Sequence, residues 1–213
     1  MTTSTTSTLK IIRAGSVDYE IALTEQRRLA EEVISGTNPG TILLLEHPSV
    51  FTAGRRTEAH ERPFDGTPVI DVDRGGKITW HGPGQLVGYP IVKLPDPMNV
   101  VSYVRKLEDI LIAACADVGV ETIKISGRSG VWLEAEGAKP QRKIAAIGVR
   151  VAQGVTTHGF ALNANPDLTW YDRIVPCGIA DAGVTSLSRE LGRDVSVEEI
   201  IPIVEQRIIE MLP

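Results

Sequence analysis

Residues 74–85 read Arg-Gly-Gly-Lys-Ile-Thr-Trp-His-Gly-Pro-Gly-Gln. Glycine carries no side chain to collide with, so a backbone of this composition bends tightly and lets a ligand approach closely. Arg74, Lys77, Thr79, His81 and Gln85 alternate with the glycines and can present donors to an acyl carbonyl or an amide. An ordinary loop between strands is the other reading of the same composition. A phosphate loop fits less well, because GxxxxGK[ST] is absent and Gly75-Gly76 do not open a helix. Strand patterns lie on both sides, Val69 to Val72 before it and Leu86 to Leu94 after it. Pro90 places the second near a sheet edge or a bulge, since proline gives no donor to a ladder.

Upstream, Ile11-Ile12 opens a short strand. Ser16 can cap a helix to about Ser35, with Tyr19, Ala22, Leu23, Ala30, Val33 and Ile34 on one face. Residues 36–40 break it, and Thr41 to Leu45 is a short apolar run typical of a strand buried on both faces. Residues 46–68 read as a long loop rich in proline, glycine and charge.

Downstream, the clearest helix runs from about Asn99 to Val118, its stripe formed by Val104, Leu107, Leu111, Ala114, Cys115 and Val118. Strands follow near 131–133, 144–152 and 155–163. A capping box, Ser196 with Glu199, precedes a last helix carrying Ile200, Ile201, Val204, Ile208 and Met211. Two or three helices among about seven strands, without regular βαβ alternation, predict an α+β fold with a largely antiparallel or mixed sheet.

A chain of 213 residues suits one domain, read as 9–213 behind a disordered polar tail at 1–8. The hydrophobic share of 42% is enough for a sizeable core, and a net charge of −5 leaves no global basic field for nucleic acid. The N-terminus lacks a basic start and an apolar run, so the expected location is cytoplasmic. Two cysteines outside any CxxC are neither a disulfide framework nor a zinc site.

Those cysteines contrast. Cys115 lies on the apolar stripe of the long helix and reads as core. Cys177, in Ile-Val-Pro-Cys-Gly-Ile, is flanked by Pro176 and Gly178, a turn that can hold a thiol at a fixed, accessible place. A buried structural cysteine is the competing reading. A nucleophilic cysteine needs its thiolate, hence a base or a cation beside it, and His81, His158 and Lys143 are the candidates. Lys143 begins the apolar run Lys-Ile-Ala-Ala-Ile-Gly-Val, where partial desolvation would ease proton transfer near neutral pH. A solvated lysine at a strand end fits as well. His47 reads as a satisfied loop histidine and His60 as a solvated one.

Together these segments resemble the lipoyl (octanoyl) transferase family. Four matches in order carry the resemblance: Leu-Leu-Leu-Glu-His-Pro48 with Thr-Ala-Gly-Arg55, the 74–85 string, Lys143 to Val149, and His158 to Asn163 leading to Pro-Cys-Gly-Ile179. The resemblance implies a fold like the catalytic domain of biotin and lipoate protein ligases, with mixed or antiparallel sheets. It implies Cys177 as the acyl-thioester nucleophile and Lys143 as the lysine that takes its proton. It implies an acyl pocket lined by Arg74, Gly75, Gly76, Lys77, Ile78, Thr79, Trp80 and His81, with Ala146, Ile147, Gly148, Gly159, Phe160 and Ala161. The polar run 134–142 departs locally, as a hairpin tip, and Trp170-Tyr171 could narrow the acceptor entrance.

The implied reaction moves an octanoyl group from acyl carrier protein, through Cys177, to a lysine of lipoyl domains in 2-oxoacid dehydrogenase complexes and the glycine cleavage H protein. Such a thioester-to-amide transfer needs neither ATP nor a metal. Backbone amides near Gly76 or Cys177, together with His81, are the expected oxyanion donors. An ATP-dependent lipoate ligase, a non-catalytic acyl-chain or carrier-protein binding module, and a hydrolase using Cys177 and His158 are the alternatives. For the acidic carrier, Arg55-Arg56 are the first expected docking residues, with Arg128 and Arg142 next.

Overall fold

The structure, a computed structural model, describes residues 9–174 and 182–212. Among these the strands are β1 (Lys10–Ser16), β2 (Thr41–Glu46), β3 (Val50–Ala53), β4 (Val69–Asp71), β5 (Ile78–His81), β6 (Gln85–Ile91), β7 (Ile123–Ile125), β8 (Arg128–Leu133), β9 (Arg142–Ala152), β10 (Val155–Asn163) and β11 (Gly183–Val184). The helices are α1 (Tyr19–Ser35), α2 (Val100–Asp117), α3 (Leu187–Leu191) and α4 (Val197–Met211). The large sheet runs β1-β2-β6-β10-β9-β8-β7, with β11 added on β9, and a small sheet runs β4-β3-β5. β1–β2, β3–β4 and β9–β11 are parallel pairs, and the other ladders are antiparallel. This is the mixed α+β architecture expected.

Alternation along the strands divides the core between the two faces of the large sheet. On one face Ile42, Leu44, Leu86, Ile147, Phe160 and Leu162 pack with Leu107, Leu111, Ile200 and Val204 of α2 and α4. On the other, Leu43, Leu45, Val87, Tyr89 and Ala161 pack under Ala22, Leu29 and Val33 of α1. β5 reaches this second face, where His81 stacks on Tyr19 of α1 with ring centres 6.0 Å apart.

β9 departs from simple alternation at one point. Val131 pairs with Ala145, but Trp132 pairs with Lys143, so Ile144 is an extra residue in β9. Ile144 and Ala145 consequently both enter the α2/α4 core. Lys143 is turned to the opposite face, beside Trp132. Without this bulge its parity would be that of Ala145 and Ile147, facing the core.

Several expectations are corrected. The N-cap of α1 is Asp18, not Ser16: its carboxylate accepts from the amides of Glu20 (2.9 Å) and Ile21 (3.3 Å). The stretch read as a long loop contains β3, whose four residues gain their place by pairing β4 and β5. Pro90 lies in a central strand between β2 and β10. The β10 ladder lapses after Gly88 and resumes where Thr156 N donates to Val92 O, so the missing amide falls in a gap between the two strands. Ser196 caps α4 as expected, accepting from Glu199 N (3.2 Å), and Asn99, read from sequence as the start of the helix, is the N-cap of α2, accepting from Ser102 N (2.9 Å). The Glu199 carboxylate is engaged by Arg193.

Candidate active site

A cavity of about 230 Å³ opens between the small sheet, α1 and the β8–β9–β10 face, lined by Tyr19, Arg56, Arg74, Gly76, Lys77, Thr79, His81, Tyr89, Gly127, Arg128, Ser129, Lys143, Ala146, Ile147, Gly148, His158, Gly159, Phe160 and Ala161. It is narrower than most ligand pockets, which span roughly 300–1,000 Å³. Its floor is made of small residues for a geometric reason. Ala146, Gly148 and Ala161 occupy the strand positions that face α1 and the small sheet, the side to which Lys143 is turned. A Cβ on Gly148 would lie 3.0 Å from Gly75 O and 3.2 Å from Arg74 Cδ, so glycine there lets the arginine–glycine loop settle onto β9. Gly75 N completes that contact by donating to Val149 O at 3.0 Å.

Within the 74–85 segment, β5 alternates. Thr79 and His81 line the cavity, whereas Ile78 and Trp80 are buried on the opposite side with Phe51, Tyr171 and Ile174. Ile78, Trp80 and Gly75 therefore lie outside the cavity lining. Trp170 stacks on Trp80 at 5.9 Å beneath Arg173, so Trp170-Tyr171 build the small-sheet core.

The polar side chains of the segment are largely occupied. Arg74, buried, donates to the carbonyls of Gly75 (3.1 Å), Lys77 (2.9 Å) and Thr52 (2.8 Å) and to Thr52 Oγ1 (3.0 Å), which makes it the brace of its own loop. Lys77 is ion-paired with Glu58 at 3.1 Å and with Glu61. Both residues nonetheless line the cavity.

The tautomer of His81 follows from a chain of bonds that ends on a backbone carbonyl. Asn163 Nδ2 donates to Thr185 O at 2.9 Å, so Asn163 Oδ1 accepts from Gln85 Nε2 at 2.8 Å. Gln85 Oε1 then faces His81 Nδ1 at 2.7 Å, and that nitrogen carries the proton. Burial above all, with the His47 ring beside it, pushes the His81 pKa down to about 3. Neutral His81 thus presents an Nε2 lone pair, an acceptor, and does not serve as an oxyanion donor.

His47 is satisfied, as expected: Nδ1 donates to Val17 O (2.6 Å) and Nε2 accepts from Tyr89 OH (2.7 Å). His158 has φ 57°, uncommon for a residue with a side chain. Its amide donates to Gln26 Oε1 (2.8 Å) and its Nε2 to Asp73 (2.9 Å). Asp73 is also paired with Arg150, so burial prevails over this carboxylate, and the His158 ring is pushed down to about 3 and stays neutral.

The buried rings make stability sensitive to acid. For His81 the folded pKa lies below the unfolded value of about 6.5, so its contribution is complete above that pH and is lost as pH falls towards 3. At pH 5 the loss is about 2 kcal/mol from His81 alone. Urea unfolding at pH 7 and pH 5 should show this fall, and a flat profile would contradict the buried neutral ring.

Lys143 is half-buried, with Nζ 4.6 Å from the centre of the Trp132 ring, a cation–π contact that holds the amine at the cavity wall. Cys177 lies outside the described residues. Its flanks are described: on one side the turn Leu168–Arg173, with Tyr171 OH accepting from Gln85 at 3.0 Å, and on the other β11. Val184 pairs with Lys143 itself, and Thr185 N donates to Lys143 O at 2.9 Å. Cys115 is fully buried on α2, and burial pushes its thiol up to about 12, which makes it inert.

Residues 18–209 match the family described as the lipoyl protein ligase A/B catalytic domain. The octanoyltransferase of Salinispora arenicola is 64% identical over 97% of both chains. The chain belongs to the octanoyltransferase family. It is accordingly an enzyme, an acyltransferase acting in protein lipoylation. Octanoyltransferase membership also accounts for the fold. A bi-partite lipoate protein ligase from Thermoplasma acidophilum superposes with a TM-score of 0.69 at 15% identity, covering 96% of this chain and 82% of that one. Biotin protein ligase from Aquifex aeolicus gives 0.55 at 18% identity, covering 95% and 70%. At such identities the likeness is one of fold alone. The cavity residues that sequence reasoning missed, Tyr19, Tyr89, Gly127 and Ser129, come from α1, β6, the β7–β8 turn and the start of β8. Tyr19 and Tyr89 read as core residues in sequence, and no local signal marks the turn.

Proposed function

We propose that this octanoyltransferase takes octanoyl from octanoyl-acyl carrier protein onto Cys177 and passes it to a lysine of lipoyl domains, with Lys143 moving the protons and without ATP or a metal. The observation that carries the reading is the juxtaposition of Lys143, a slim small-residue cavity, and β11, which ties the chain just beyond Cys177 to Lys143. Lys143 accepts the thiol proton, and the thiolate attacks the acyl carbon. The carbon–sulfur bond to the carrier breaks, and the carrier's sulfur leaves with the proton from Lys143. The neutral amine of the target lysine then attacks the Cys177 thioester. An amide forms, the cysteine sulfur is released, and the amine's surplus proton returns to it through Lys143. The Gly76 amide, at the cavity, is a candidate oxyanion donor. Each methylene buried in the cavity contributes about 0.8 kcal/mol, enough to discriminate chain length.

Intact mass measurement tests the reading. Mixed with octanoyl-acyl carrier protein, the enzyme should gain one octanoyl mass on Cys177, lost again when an apo lipoyl domain is added. Transfer only with ATP and free octanoate would favour a ligase, and octanoate release without an acceptor would favour a hydrolase.

Carrier docking rests on local charge, because the chain itself is −5. Arg55 and Arg56 are exposed, and Arg56 lines the cavity. The acidic neighbours that would neutralise them are engaged elsewhere, Glu58 and Glu61 by Lys77 and Asp65 by Arg173. Arg142 is no longer a candidate, being buried and held by Glu190 (2.7 Å). Reversing the charge of Arg55 and Arg56 should raise KM for octanoyl-acyl carrier protein roughly tenfold and flatten its salt dependence. A small octanoyl thioester should react as before. Equal losses with both donors would mean that the arginines shape the cavity.

A further inference from the structure

Glu108 is a fully buried carboxylate on the face of α2 that packs on β8. One oxygen is held by Arg105 at 2.6 Å, and the other accepts the backbone amide of Gly130 at 3.0 Å. Burying a carboxylate is costly, and an apolar side chain would fill a helix–sheet interface at least as well. What Glu108 adds is a fixed position for one amide of β8, next to the irregularity that turns Lys143.

Gly130 has φ 112°, a conformation that side chains rarely adopt. A Cβ there would lie 2.5 Å from Ala145 O and 3.4 Å and 3.5 Å from Cε and Cδ of Lys143. The aliphatic stem of Lys143 therefore runs alongside the bare Gly130 backbone. Two residues further, Trp132 stands opposite Lys143 and carries its Nζ over the ring. Gly130 and Trp132 flank the bulge and form two sides of the lysine's seat. Glu108 holds the first of them.

We infer that Glu108, through Gly130, is a positioning residue for Lys143. Its carboxylate holds the β8 backbone in the one shape that leaves the bulge in β9 and the amine at the cavity wall. The inference rests on the reading of Lys143 as the proton carrier, and its test separates the two. In Glu108→Met the acceptor for Gly130 N is lost. Displacing the amine by about an ångström should lower kcat for octanoyl transfer by roughly a hundredfold, with KM changed by less than about threefold. Glu108→Gln keeps an oxygen for Gly130 N and should recover most of the rate. The indole N–H resonance of Trp132 in ¹⁵N-tryptophan-labelled protein, assigned with Trp132→Phe, should move in Glu108→Met and stay in Glu108→Gln. Should Glu108→Met not fold, Gly130→Ala approaches the same seat from the strand side and should show the same loss and the same shift. A folded Glu108→Met with wild-type turnover, or one that loses turnover while the Trp132 resonance stays in place, overturns the inference. Normal turnover by Lys143→Ala would instead remove the proton-carrier reading, and the Trp132 shift in Glu108→Met would still report the lysine's seat.

Discussion

Cys177→Ser should fold normally and lose octanoyl transfer by on the order of 10⁴-fold or more, because removing a nucleophile disables the whole catalytic unit. An alcohol is far less ionised than a thiol near neutral pH, and Lys143 as the proton acceptor cannot close that gap. Cys115→Ser is the control with the opposite signature. Its sulfur is fully buried on α2 with Leu107, Leu111 and Ile144 in one cluster, so a hydroxyl there should cost about 1–3 kcal/mol of stability while the chemistry survives. Melting temperature and turnover measured on both variants separate the roles. Normal turnover by Cys177→Ser would end the nucleophile assignment.

Lys143→Arg should fail nearly as badly as Lys143→Ala, each by roughly 10²–10⁴-fold, the usual worth of a general acid–base group. Arginine can keep the charge and the contact with the Trp132 face, yet it does not give up a proton at any pH the enzyme meets. The comparison isolates proton transfer from electrostatics. Recovery of most activity in Lys143→Arg would show that a fixed positive charge is all the site needs.

Much of this architecture was legible in sequence, wherever one local signal was strong. The apolar stripe of α2, the buried run of β2 and the serine cap of α4 each speak through nearby residues. Failures came where a long-range partner supplied the missing stabilisation. Val50–Ala53 has only four residues and follows a proline, and it becomes a strand because β4 and β5 flank it. Pro90 is tolerated in mid-sheet because it falls in a gap of the β6–β10 ladder, between Gly88 and Val92. At the site, the resemblance pointed to the lysine and to the small residues, while the orientation of each side chain was out of reach. Alternation alone would send Lys143 into the α2/α4 core. The bulge at Ile144 that prevents this depends on Gly130 and Trp132 across the ladder, and no pattern within residues 142–152 announces it. Sequence offers His81 as a donor because histidine commonly is one. Its tautomer is dictated by Thr185, more than a hundred residues away, through Asn163 and Gln85.

The pairing of Val184 with Lys143 has a counterpart in how the chain can change length. The polar segment after β8 closes on itself, with Glu136 and Lys139 exchanging both amide bonds at 3.0 Å and 2.9 Å, and its neighbours are exposed. Residues added at that tip disturb no register, since the hairpin is already shut beneath them. A change of length within β11 itself is another matter, because it slides Val184 off its mate on β9 and with it the backbone bond that Thr185 makes to Lys143.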